Sequence, residues 1–143
     1  ASGYWGVTIQ VDDMIKALSK LEHDGEPLLS DPVVRDDLVG FIMEAKALSL
    51  TGRRSGIPAL TSDYPMGLAL SVKYRGTEYE RRMKQYTASK QGAQSALYVG
   101  DADAVSGGFW QRAYFSNFGA TIGGGTTQVQ ANIVAEHVLG LPK

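Results

Sequence analysis

Apolar residues recur at three- and four-residue steps along several stretches of this chain, the spacing that puts side chains on one face of a helix. Val7, Val11, Met14, Ile15, Leu18 and Leu21 form the first stripe and predict an amphipathic helix from Gly6 to Glu22, ended by Asp24-Gly25-Glu26-Pro27. Ser30-Asp31-Pro32 opens the second: Asp31 is placed to cap free N–H groups, and Pro32 fills the first helical position, where a missing donor costs nothing. Val34, Leu38, Phe41, Ile42, Ala45 and Leu48 carry this helix to about Gly52. Glycine, proline, serine and aspartate between Gly52 and Pro65 predict an exposed loop.

From Pro65 to about Tyr98 the helical period returns through Ala69, Leu70, Tyr79, Met83, Tyr86, Ala93 and Leu97, with Met66 at its start. This is one long helix, bent or broken near Gly76 or Gly92. Gly100 to Gly108 predicts a polar loop and Phe109 to Ile122 an aromatic-rich helix. Gly123-Gly124-Gly125 predicts a hinge, and Thr126 to Leu139 a last helix closed by Gly140 and Pro142. No stretch alternates well enough to predict a strand. The fold class is all-α, an up-down bundle of four to five helices.

Composition narrows what such a bundle does. At 143 residues, 43% hydrophobic, the chain is long enough for one domain with a real core. Its formal charge of −1 provides no global field for nucleic acid or an anionic membrane. The absence of cysteine removes disulfides, thiolate metal sites and a thiol nucleophile, and makes a cytoplasmic location the default. No apolar run reaches the roughly 18 to 20 residues of a membrane span. The start Ala1-Ser2-Gly3-Tyr4-Trp5 reads as the interior of a longer polypeptide.

The usual catalytic groupings are sparse. His23 and His137 are the two histidines, too few and too scattered for a metal site, and none is predicted. Ser106-Gly107-Gly108 is no nucleophile elbow, and Asp101-Ala102-Asp103 lacks the remainder of a calcium loop. Lys73, Arg75, Arg81, Arg82, Lys84 and Lys90 outnumber Glu78 and Glu80, which makes the middle of the long helix locally basic. Such a run is more often a solvated face or a subunit contact than a nucleic-acid surface, and no nucleic-acid partner is expected.

Thr121-Ile122-Gly123-Gly124-Gly125-Thr126-Thr127-Gln128-Val129-Gln130 is the informative segment. Three glycines permit positive φ and close approach, and they lead into a helix whose first N–H groups lack intrahelical partners. Such an end can hold an anion or the polar edge of a ligand. It is equally a plain joint between helices, with Thr127-x-x-Gln130 as a capping box.

The tail Ile122-Gly123-Gly124-Gly125-Thr126-Thr127-Gln128-Val129-Gln130-Ala131-Asn132-Ile133-Val134-Ala135-Glu136-His137-Val138-Leu139-Gly140-Leu141-Pro142 resembles the C-terminal signature of acyl-CoA dehydrogenases. Asp31-Pro32-Val33-Val34-Arg35 with Leu38, Lys73 in the third helix, and Trp110-Gln111-Arg112-Ala113-Tyr114 agree in order. The resemblance covers nearly all of the chain and about the last third of a family member. It implies that residues 1–143 are the C-terminal helical bundle of a longer chain whose N-terminal helical and middle β domains lie outside this sequence. It further implies FAD as cofactor, an acyl-CoA thioester dehydrogenated across its α,β bond, an electron-transfer acceptor and a homo-oligomer. Gly125, Thr126 and Gln128 correspond to residues that contact FAD, often across a subunit interface.

Departures from the pattern are as informative. Many members place the catalytic Glu immediately before Gly-Thr; here that residue is Gly124, so this segment provides no base and the catalytic residue is unassigned. Other branches carry the base near the start of the first helix, a stretch that precedes Ala1; Asp12 and Asp13 are the nearest acids and read as exposed helix residues. The family's Arg-x-x-Phe-Gly flavin contact aligns with Leu21-Glu22-His23-Asp24-Gly25, and the Gln expected three residues before Gly92 is Ser89. The rival reading is a non-catalytic scaffold subunit of a heteromeric acyl-CoA dehydrogenase. On either reading the isolated domain is expected to be inactive and to retain no FAD.

Overall fold

A computed structural model describes residues 10–61 and 66–142, without the Met66 side chain; Val7 and the predicted first turn of helix one lie outside these. Among the described residues there are five α-helices: α1 (Val11–Leu18), α2 (Pro32–Arg54), α3 (Met66–Ser89), α4 (Phe109–Ile122) and α5 (Thr127–His137). Short 3-10 turns at Leu28–Ser30, Pro58–Leu60, Gly92–Ala96 and Val105–Gly108 complete the connections. The all-α bundle class is borne out, with α3 at its centre, packed against each of the other four helices. No helix among the described residues is long and apolar enough to cross a membrane.

The predicted stripes become the core. Met14 and Leu18 of α1, Val34 and Leu38 of α2, Tyr79, Met83 and Ala88 of α3, and Trp110 of α4 are buried together, with Leu28. Phe41 joins Tyr79 and Tyr86 in an aromatic cluster, ring centroids 6.0 and 5.4 Å apart. The two phenols are anchored: Tyr79 donates to the Phe41 carbonyl at 3.2 Å and Tyr86 to the Asp37 carboxylate at 2.8 Å. Asp31 caps α2 as its sequence requires, accepting from the Val33 N–H at 2.8 Å with Pro32 following.

Three boundaries differ from the expectation. α1 stops at Leu18, because the next residues enter a minimal antiparallel ribbon, β1 (Glu22–His23) against β2 (Glu26–Pro27), closed by Leu28 N–H donating to Leu21 O at 2.9 Å. Asp24 and Gly25 at its tip take φ of 54° and 81°, the two-residue turn for which Asp-Gly is the strongest short signal. Leu21 thus matches a helical period but reaches the core from a hairpin. α2 runs through Gly52 to Arg54, and its Ile42 is 43% exposed instead of core. The long helix passes Gly76 unbroken and ends at Ser89, with Gly92 at φ 60° starting a 3-10 turn.

Candidate functional site: the glycine joint between α4 and α5

α4 closes as the Gly123 N–H donates to Gly119 O at 2.8 Å, and the chain then turns through Gly124 and Gly125, at φ 71° and 102°. Gly125 is required twice over. Its backbone lies where L side chains are strained, and a Cβ there would sit 2.8 Å from Gln130 Nε2. A Cβ on Gly124 would meet nothing within 4 Å.

Thr126, not Thr127, caps α5. Its extended backbone lets its hydroxyl oxygen accept from the Val129 N–H at 3.3 Å. The predicted Thr127-x-x-Gln130 box does not form, and its members do other work. Thr127 donates to Glu78 Oε1 on α3 at 2.8 Å, while Gln130, 4% exposed, turns its amide back onto the Gly124 carbonyl. Its Oε1 is left buried without a partner among the described residues. Lys73 of α3 donates from Nζ to the Gly125 carbonyl at 2.5 Å. The Thr127 hydroxyl, followed by the Arg81 guanidinium, holds the Glu78 carboxyl below the usual carboxylate range.

Of the sequence-derived site residues, Gly125, Thr126 and Gln128 are contiguous on this joint. Gly125 and Thr126 are half-buried; Gln128 is exposed, with no side-chain hydrogen bond among the described residues. Asp12 and Asp13 are exposed at the start of α1, where Asp13 accepts from the Gln10 N–H at 3.0 Å and so serves as a cap.

A second locus is an open cleft of about 600 Å³ that brings Leu21, Glu22 and His23 beside Lys90, Gln91 and Gly92. Both segments aligned with flavin contacts therefore lie on one cleft, but Leu21 and Asp24 occupy the positions of the Arg and the Phe, and Ser89 turns its hydroxyl onto Tyr86 O at 2.8 Å.

Most of the basic run from Lys73 to Lys90 is engaged, with Arg75 exposed and without a partner among the described residues. Arg81 pairs with Glu78 at 3.0 Å and Arg82 with Glu44 at 2.6 Å, while Lys90 lies over the Tyr86 ring at 4.8 Å. Lys84 is buried, 2.7 Å from Glu80 and 2.6 Å from Asn117 Oδ1, and Asn117 in turn donates to Thr77 O at 3.0 Å. Sequence reasoning missed Lys84, Asn117, Glu78 and Gln130. The i,i+4 spacing of Glu80 and Lys84 and the i,i+3 spacing of Glu78 and Arg81 were the local signals; Asn117 and Thr127, which complete these pairs, come from distant segments. His23 is exposed beside Asp24, and no cluster able to hold a metal ion occurs among the described residues.

The family model described as acyl-CoA dehydrogenase, C-terminal domain, matches residues 2–139. This chain belongs to the acyl-CoA dehydrogenase family. The acyl-CoA dehydrogenase IpdE1 of Mycolicibacterium smegmatis is 31% identical over 114 residues, 79% of this chain and 26% of that protein. The ChsE4-ChsE5 complex from Mycobacterium tuberculosis contains a chain of the same fold, with a TM-score of 0.77 and 22% identity over 93% of this chain and 34% of that one. The Tcur3481-Tcur3483 steroid ACAD gives a TM-score of 0.74 and 25% identity, covering 93% of this chain and 35% of that one. This acyl-CoA dehydrogenase domain therefore spans about a quarter to a third of these relatives.

Acyl-CoA dehydrogenases are generally flavin-dependent. The chemistry of the joint suits the polar edge of such a cofactor: the exposed Gln128 amide, the Thr126 hydroxyl and the Thr127 and Gln128 N–H groups, which the Thr126 cap leaves without a partner among the described residues, are adjacent donors at the start of α5. The cleft at Leu21 and Gly92 does not match the contacts the resemblance implies, because the guanidinium and the aromatic ring are both missing from it.

Proposed function

We propose that residues 1–143 are the C-terminal helical bundle of a longer FAD-dependent enzyme that dehydrogenates an acyl-CoA thioester across its α,β bond. The domain contributes FAD contacts from Gly125, Thr126 and Gln128, together with oligomer packing. The carrying observation is the joint itself, where left-handed glycines lead into Thr126, half-buried, and Gln128, exposed, at the start of α5. Bound FAD supplies a hydride acceptor at its flavin ring. This chain's residues bind and orient: the Thr126 hydroxyl and Gln128 amide donate or accept, and the N-terminus of α5 favours negative charge. Gly124 has no side chain to take the α-proton, so the base comes from elsewhere in the assembly.

That same residue favours a second reading, a scaffold subunit lacking the base within a heteromeric acyl-CoA dehydrogenase. The solved relatives are described as two-component complexes, which supports a heteromeric partner in place of a homo-oligomer. Exposed apolar rows are available for either assembly: Val39, Met43 and Leu50 on α2, and Phe115, Phe118 and Ile122 on α4. A cytoplasmic location and an electron-transfer acceptor belong to both readings.

The complete polypeptide, alone and with any co-purifying subunit, is the material for the test. Flavin absorbance and acceptor-coupled turnover are measured with fatty and steroid acyl-CoA thioesters. Flavin with turnover by the polypeptide alone supports the enzyme, and turnover restored only by a second subunit supports the scaffold. No flavin in either preparation refutes both.

A further inference from the structure

We infer that Lys73 is a positioning residue that locks the Gly125–Thr126 peptide so that its N–H faces the bound FAD; this rests on the reading of the joint as a cofactor contact. The Gly125 carbonyl is held by Lys73 Nζ from α3 at 2.5 Å. No cis peptide bond occurs in the described chain, so the C=O and N–H of this peptide point in opposite directions. With the carbonyl turned onto α3, the Thr126 N–H points away from α3, and it makes no hydrogen bond among the described residues. It lies beside the Thr126 hydroxyl and two residues before Gln128, next to the donors already described.

Local hydrogen bonds hold the flanking groups, Gly125 N–H to Ile122 O at 3.1 Å and Gln130 N–H to Thr126 O at 2.9 Å, but among the described residues the Gly125 carbonyl has no partner other than Lys73. Gly125 has no side chain, its φ of 102° is a conformation glycine leaves readily, and a half-turn of the peptide would exchange donor for acceptor on the outer edge. An anionic or acceptor-rich ligand would then meet a carbonyl. An ammonium carries three donors and no acceptor, so Lys73 stabilises only the orientation with the carbonyl inward. The neighbouring tie from Thr127 to Glu78, 2.8 Å, fixes the start of α5 against the same helix and leaves the Gly125–Thr126 peptide as the movable element.

The test uses the full polypeptide with any partner subunit, stripped of flavin and titrated with FAD by fluorescence quenching. Lys73→Met is expected to weaken FAD binding at least tenfold while the melting temperature of the flavin-free protein stays near that of the parent. Lys73→Arg, which keeps the donors, restores most of the affinity. Hydrogen exchange supplies a readout that needs no variant: in the parent protein the segment Gly124–Gln128 gains protection on adding FAD. Unchanged affinity in Lys73→Met overturns the inference alone, whereas no gain of protection in a parent that binds FAD overturns the reading of the joint as a cofactor contact and the inference with it. A Lys73→Met protein that fails to fold leaves the exchange result to decide. A parent that takes up no FAD overturns the underlying reading as well.

Discussion

Gly125 and Gly40 show how the same substitution takes opposite signs in one chain. Gly125→Ala places a methyl group 2.8 Å from Gln130 Nε2 at φ 102°, and a loss of about 1–3 kcal/mol is expected in denaturant titration. Gly40 is exposed inside α2, with nothing within 4 Å of an added Cβ, so Gly40→Ala should stabilise by about 0.5–1 kcal/mol in the same assay. Glu78 ties residue chemistry to pH. Its folded value lies below the ordinary 4.5, chiefly through the Thr127 hydroxyl and then Arg81. The unfolded chain therefore binds the proton first on acidification. The stability this carboxylate contributes is present above 4.5 and is lost as pH falls through the lower folded value. The stability gap between the parent and Glu78→Gln, followed by unfolding midpoints across that range, should be level above it and close below it. The pairing with Arg81, three residues on, was legible at Glu78, but the larger cause was not, because Thr127 is 49 positions away.

Elements are held together by polar groups that a reading of helical faces places in solvent. Lys84 is buried between α3 and α4, and Asn117 accepts from it while donating to Thr77 O. Asn117→Ala strips the buried ammonium of one acceptor, leaving it Glu80, and removes the second donor to the Thr77 carbonyl, so a loss of about 1.5–3 kcal/mol is expected by chemical denaturation. The apolar period gave α2 through Asp31 and Pro32, and α4 from Phe109 to Ile122, because capping and face-forming are local in sequence. It overran α1, because Leu21 satisfies the period while the Asp24-Gly25 turn pulls it into a hairpin. It also placed the cap of α5 one residue late: either threonine can cap by composition, and the contact of Thr127 with Glu78 decides between them.

On the scale of the whole molecule, Lys73, Arg81, Arg82, Lys84 and Lys90 are engaged within the fold, by the Gly125 carbonyl, Glu78, Glu44, Glu80 and the Tyr86 ring, which leaves Arg75 as an exposed cation of that run without a partner among the described residues. A gel-shift titration at low salt, where phosphate attraction is strongest, is expected to show no oligonucleotide binding. Unpartnered apolar rows point the other way, toward protein contacts. Phe115 is 59% and Ile122 63% exposed on α4, on the helix that leads into the glycine joint. The isolated 143 residues should self-associate, and Phe115→Ser with Ile122→Ser should shift sedimentation toward monomer without lowering the unfolding midpoint. The same isolated domain should retain no flavin after gel filtration, because a few adjacent donors offer a small share of the contacts a dinucleotide needs.

The sequence by itself determined the helical class, the family and the candidacy of Gly125, Thr126 and Gln128, since periodicity, capping and a contiguous motif are written within a few turns of chain. Only the tertiary structure decided that Lys73 and Glu78 grip the joint, that Lys84 is interior, and that Leu21 and Gly92 share a cleft. Each of those facts joins residues far apart in the chain. Their meeting follows from how α3 packs at the centre of the bundle, and no local pattern encodes it.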